Sequence, residues 1–181
     1  MIDLKLKRFC IFGLQGSGKT ELAKHILRHA SNHLVWDYHH EYKGFNRYLV
    51  QKSGDLDYQI SAVIEKLVPK ADMFVIDEAN RIAPSRSALL PALRDLNDDS
   101  RHPPWRLSLG MVARRPVQLA TDLVELAHYL FIFNLKGKND IGYFNDLAAG
   151  LGDQVAALPQ FHYVFVDQNR NFRVMTPVAI R

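Results

Sequence analysis

Short, uniformly apolar runs alternate along this chain with stretches whose apolar residues recur every three or four positions. The run at 8–13 ends in glycine and reads as a buried strand, and residues 19–30 carry Leu22, Ile26 and Leu27 at helical spacing. Residues 33–37 form a second strand pattern. Ile60, Val63, Ile64 and Leu67 make a helical stripe that Pro69 ends. Residues 73–76 are continuously apolar, as in a strand covered on both faces. The pattern then predicts a helix at 87–96, a strand at 107–113, a helix at 118–126, a strand at 129–134 and a helix at 141–151. Two apolar runs, 161–166 and 172–175, flank Asp167-Gln-Asn-Arg-Asn171 and read as a terminal β-hairpin. Strands alternating with helices imply a central, mostly parallel sheet with helices on both faces. No repeat, low-complexity tract or linker divides the 181 residues, so a single α/β domain spanning 1–181 is expected.

Composition narrows the setting. The 48% hydrophobic content suits a globular core. Cys10 is the only cysteine, which excludes an intrachain disulfide and favours a reducing compartment. No stretch approaches the ~20 apolar residues of a spanning helix, so a soluble, cytoplasmic protein without membrane insertion is expected. The net charge of +4 is unevenly spread. Between Arg81 and Arg115 seven arginines face three acids and no lysine, an excess of four that equals the charge of the whole chain. Arginine in place of lysine suits planar, bidentate contacts with phosphate or carboxylate, against the simpler reading of a solvated helix face.

The chemistry concentrates after the first strand. Gly13-Leu-Gln-Gly-Ser-Gly-Lys-Thr20 fits the G-x-x-x-x-G-K-[ST] phosphate loop at every fixed position, between a strand and a helix. Gly13, Gly16 and Gly18 allow the backbone N–H groups of the loop, through Gln15 and Ser17, to converge on one anion. Lys19 should reach the terminal phosphates of ATP, and the Thr20 hydroxyl should ligate Mg²⁺. Asp77-Glu78 follows the apolar strand at 73–76, where a carboxylate points into the crevice at the carboxyl end of a parallel sheet. Asp77 is assigned to the metal and Glu78 to general-base attack by water on the γ-phosphate.

Three further segments resemble the FtsK–HerA superfamily of DNA-translocating ATPases, and among them small viral genome-packaging ATPases. Val35-Trp-Asp-Tyr-His-His-Glu-Tyr42 is similar to the hydrophobic-Asp-x-x-x-Glu-Tyr segment, with Tyr38-His39-His40 where Pro-His-Gly is usual. Asp37 and Glu41 carry that match and are expected beside the nucleotide. Ser100-Arg-His102 precedes the fourth strand, where the family places an arginine finger for the neighbouring subunit; Arg101 takes that role by position, with Arg86 and Arg94 as competitors. Ala113-Arg-Arg-Pro116 resembles the Thr-Gln-Arg-Pro segment whose glutamine senses the γ-phosphate. Arg114 stands in place of that glutamine and, being a donor only, is assigned a charge-stabilising sensor role.

The resemblance implies a RecA-like, ASCE-type P-loop NTPase using ATP and Mg²⁺. It also implies a homo-oligomeric ring, hexameric in type, around double-stranded DNA, with a capsid protein as a further partner. Lys43, Arg47, Lys136 and Lys138 are candidate channel residues, and Tyr42, Phe45 and Tyr48 read as packing. Two other classes stay open: a small-molecule kinase and a nucleotide-switched binding module.

Overall fold

A computed structural model of the chain describes residues 2–179. Among these residues eight strands form one sheet in the order β3-β2-β4-β5-β1-β6-β7-β8. They are β1 (Arg8–Phe12), β2 (His33–Asp37), β3 (Arg47–Leu49), β4 (Met73–Ile76), β5 (Ser108–Ala113), β6 (Tyr129–Phe133), β7 (Tyr163–Val166) and β8 (Phe172–Met175). The six helices are α1 (Lys19–Leu27), α2 (Leu56–Lys66), α3 (Pro91–Asp99), α4 (Thr121–Glu125), α5 (Lys138–Leu147) and α6 (Leu151–Ala156). Strands β1 to β6 are mutually parallel, and β7 and β8 add the expected antiparallel hairpin.

The central strand β1 alternates its residues between two cores, as a pleated strand covered on both sides must. Cys10 and Phe12 enter a large core that also holds residues of α2 to α6. Phe9 and Ile11 enter a smaller one, where α1 supplies Leu22, Ala23, Ile26 and Leu27. Helices do cover both faces, unequally: one helix stands against five.

The structure corrects several boundaries. The helix expected at 87–96 starts only at Pro91, since Pro fits the first helical turn, and runs on to Asp99. The helix expected at 141–151 is two helices, because Ala148 leaves helical geometry and Gly150 adopts a left-handed φ of 79° to start α6. Leu67, assigned to the apolar stripe of α2, is 39% exposed, and Val68 is buried in its place. Strand β3 was not expected at all. It pairs in parallel with β2 across only the loop 38–46, and Trp36 stacks on Tyr48 at 5.4 Å between centroids.

Candidate active site

Five sheet neighbours deliver their carboxyl ends to one edge of the molecule. From β1 the chain turns into the phosphate loop, where Gly16 (φ 75°) and Gly18 (φ 105°) take left-handed conformations open to glycine. Gly13 is needed for space: a Cβ there would lie 2.5 Å from Ser17 Oγ and 2.7 Å from Phe133 Cβ. Its N–H donates to the Arg114 carbonyl at 3.2 Å, tying the loop to the end of β5. Gln15 is exposed at the crest. Gly18 caps α1 with no side-chain acceptor, so the first N–H groups of that helix face the loop.

Lys19 folds back over this loop, donating to the Leu14 carbonyl at 3.0 Å. Burial pulls its ammonium below the ordinary value, while Glu78 and Asp77 hold it up. The Thr20 hydroxyl donates to Glu41 Oε2 at 3.1 Å, which leaves the hydroxyl lone pairs for another partner. Ser17 Oγ is buried without a protein partner.

The acids stand on the β4 side. Asp77 is 5% exposed, and burial, with Glu78 as the next cause, raises its pKa to about 7. Glu78 has a left-handed backbone (φ 50°), so its side chain turns off the strand axis. Its Oε1 accepts from Arg114 Nε at 3.3 Å and faces His39 Nε2 at 3.5 Å, while Oε2 is buried and unpartnered. Lys19, Arg114, Glu41, Asp77 and Glu78 therefore form one electrostatic cluster.

This cluster fits a magnesium nucleotide. No group of three or more His, Cys, Asp or Glu among the described residues makes a self-sufficient metal cage. Magnesium bound with phosphates and water needs only one or two protein oxygens, which Thr20 and Asp77 would supply. Burial, then Glu78, raises the Asp77 pKa, and a cation bound there would favour the ionised carboxylate. The unpartnered Ser17 Oγ and the N-terminal end of α1 suit phosphate oxygens.

Asp37 anchors the loop after β2. It is fully buried and accepts from the Glu41 and Tyr42 N–H groups at 2.9 and 3.1 Å and from Arg47 at 2.7 Å. It holds the loop that carries Glu41, and its charge also acts on Asp77. Arg47, a candidate channel residue, is spent on that pair. Lys43, Lys136 and Lys138 are exposed, and Tyr42, Phe45 and Tyr48 pack as expected. Arg115 is bound to the buried Asp140 at 2.8 Å.

Arg101 is not brought to this edge. It lies beyond α3 near Arg8 and His128, at the opposite end of β1, and is exposed. The five residues of β1 separate the two ends by about 13 Å. Arg86 lies on a loop bound to Gln118 through the Ser85 N–H, and Arg94 faces Asp95 at 3.5 Å. His39 was missed by sequence reasoning as a partner of Glu78, since only its proximity in space carries the signal.

No protein-family model matches this sequence, and no curated protein matches it by sequence. Solved structures do. The genome packaging NTPase B204 from Sulfolobus turreted icosahedral virus 2, in complex with ATP-gammaS, aligns with a TM-score of 0.83 at 19% identity, over 97% of this chain and 99% of that one. Its complex with sulfate gives 0.84 at 17% identity, over 99% and 100%. The pCW3 conjugation coupling protein TcpA gives 0.68 at 13% identity, over 97% of this chain and 61% of that one. The N-terminal domain of zonular occludens toxin from Neisseria meningitidis gives 0.58 at 12%, over 95% of both. The fold of this chain is thus the P-loop NTPase fold that it shares with these structures, a mostly parallel sheet extended by an antiparallel hairpin.

Proposed function

We propose that residues 1–181 form a single ATPase domain that hydrolyses ATP with Mg²⁺ and drives double-stranded DNA, as the motor that packages a viral genome into a preformed capsid. The observation that carries this reading is the convergence of Lys19, Thr20, Glu41, Asp77, Glu78 and Arg114 on one sheet edge. Its support is a fold that aligns along nearly the whole chain with a genome packaging NTPase. The metal, once bound, would neutralise charge on the terminal phosphates. Glu78 would orient and deprotonate the attacking water. Arg114, already at its carboxylate, would donate to the γ-phosphate as charge develops there. Lys19 would exchange the Leu14 carbonyl for phosphate oxygen. Arg101, remote from its own site, would act across a subunit boundary, which makes a homo-oligomeric ring, hexameric in type, part of the proposal. The capsid as partner and the host cytoplasm as location belong to the same reading. Among the described residues no helix is long and apolar enough to cross a membrane.

The test is the ATPase rate with and without double-stranded DNA, on the parent, Glu78→Gln and Arg101→Ala. Stimulation by DNA is expected in the parent, with a loss of about 10²–10⁴-fold in Glu78→Gln and about 10³-fold in Arg101→Ala. Mixing the two variants should restore part of the rate, because each supplies what the other lacks. No stimulation by DNA, together with normal hydrolysis by Arg101→Ala, sinks the motor reading.

A further inference from the structure

A second feature lies on the other side of the phosphate loop from the acids. Two clefts, of about 270 and 130 Å³, open there and share Phe133 and Phe161 as walls. The larger also reaches Ser17 of the loop and Asn134, and the smaller reaches Gly18 and Tyr163. Together they approach the low end of the range of small-ligand pockets, ~300 Å³. Phe161 is an exposed aromatic residue (46%) held in a left-handed backbone conformation (φ 62°). Its ring edge and that of Phe133 lie 3.7 and 3.2 Å from where a Cβ on Gly18 would stand. An apolar ring kept in water beside a phosphate loop calls for a flat partner.

Asn134 is the polar group of this cleft whose hydrogen bonding is decided. Its Nδ2 donates to the carbonyls of Ala156 and Leu158 at 3.1 and 2.8 Å. Both amide hydrogens are thereby used, the orientation of the amide is settled, and Oδ1 remains as an acceptor that cannot turn into a donor.

We infer that this cleft is the base subsite of the nucleotide, with Phe161 stacking on the base and Asn134 Oδ1 selecting an exocyclic amino group over an oxo group. The inference rests on the proposed ATP reading and adds to it the source of base choice. The direction follows from the sheet. Asp77, Glu78 and Arg114 lie on the β4–β5 side of the loop, so the γ-phosphate points there. The sugar and base must then leave on the β6–β7 side, where the aromatic walls stand. Adenine presents an N6 amino group to Oδ1; the 6-oxo group of hypoxanthine or guanine would bring oxygen against oxygen. A site built around a fixed polar partner discriminates strongly against the analogue that cannot pair.

The experiment is competition binding on the full chain with three unlabelled probes, ATP, ITP and inorganic tripolyphosphate, against a fluorescent ATP analogue. ITP carries a 6-oxo group and an N1–H where ATP has a 6-amino group and a bare N1, and tripolyphosphate has no base. The parent should prefer ATP to ITP by at least about tenfold. Phe161→Ala should weaken ATP by about tenfold and leave tripolyphosphate unchanged, and Asn134→Ala should erase the preference for ATP over ITP. Equal binding of ATP and ITP by the parent overturns the role of Asn134 without any need for the variant to fold. Parental ATP affinity in Phe161→Ala, with tripolyphosphate still bound, overturns the subsite. Failure of the parent to bind either ATP or tripolyphosphate strikes the nucleotide reading itself.

Discussion

Asp37 shows how one buried charge can organise the loop beside it. Its carboxylate is fully buried, and three donors keep it tolerable: two N–H groups of the loop after β2 and the Arg47 guanidinium. Removing one partner leaves a buried charge short of compensation. Arg47→Met should therefore cost about 3 kcal/mol, seen as a lower urea midpoint with an unchanged slope. The same variant should loosen Glu41 and its bond to Thr20. At Gly13 the demand is for space alone. Gly13→Ala must push Ser17 or Phe133 aside, and a displacement near 1 Å at a reacting centre costs about 10²-fold in rate. ATP hydrolysis by the variant, compared at equal helicity by circular dichroism, checks this; an unimpaired rate would show that the loop can yield.

Among the elements, the apolar runs of the buried strands were legible almost to the residue, because the polar residues of β2 fall only at its ends and β4 has none. Strands β2 and β4 match the pattern fully, and the hairpin β7–β8 nearly so. What escaped was set by long-range contacts. Arg47-Tyr-Leu49 is three residues of mixed polarity, and it becomes a strand because Asp37 and Trp36 wait beside it. The break between α5 and α6 was hidden because apolar residues continue at helical spacing across Ala148 to Gly150. The site followed the same division. The phosphate-loop motif and Asp77-Glu78 were readable from spacing and Glu41 through the family resemblance, while His39, Asn134 and Phe161 depend on which loops meet. The α5–α6 junction itself is tight, since a Cβ on Gly152 would lie 2.2 Å from the Ile141 carbonyl oxygen. Gly152→Ala should destabilise by about 2 kcal/mol, or roughly 6 °C in Tm for a chain of this size, measurable by calorimetry.

For the whole molecule, the end of the sheet opposite the active site carries a pH response. His128 accepts the Arg8 N–H through Nδ1, and burial, followed by Arg8, Lys7, Arg101 and Arg170, pushes its pKa down to about 4. The unfolded chain, with its histidine near 6.5, takes up the proton first. Stability from this group is therefore complete above about pH 6.5 and declines as pH falls towards 4. Asp77 acts in the opposite sense, since its raised pKa makes the folded chain bind the proton first below about 7. The difference in urea midpoint between the parent and His128→Gln, followed from pH 7 to 4, isolates the histidine. It should narrow steadily with acid, and a constant difference would contradict the assignment.

The order of strands along the edge that carries the phosphate loop has a consequence for timing. From β4 through β5, β1 and β6 to β7, the edge presents carboxylates, a guanidinium, backbone N–H groups, an amide and aromatic rings. Four steps of about 4.8 Å make this gradient about 19 Å long. A ligand laid along it is gripped at one end by charge and at the other by a flat apolar wall. Losing its terminal phosphate empties only the charged end. On the proposed reading the spent nucleotide would keep its hold through the base after the phosphate had gone, which sets phosphate as the first departure and nucleotide as the last.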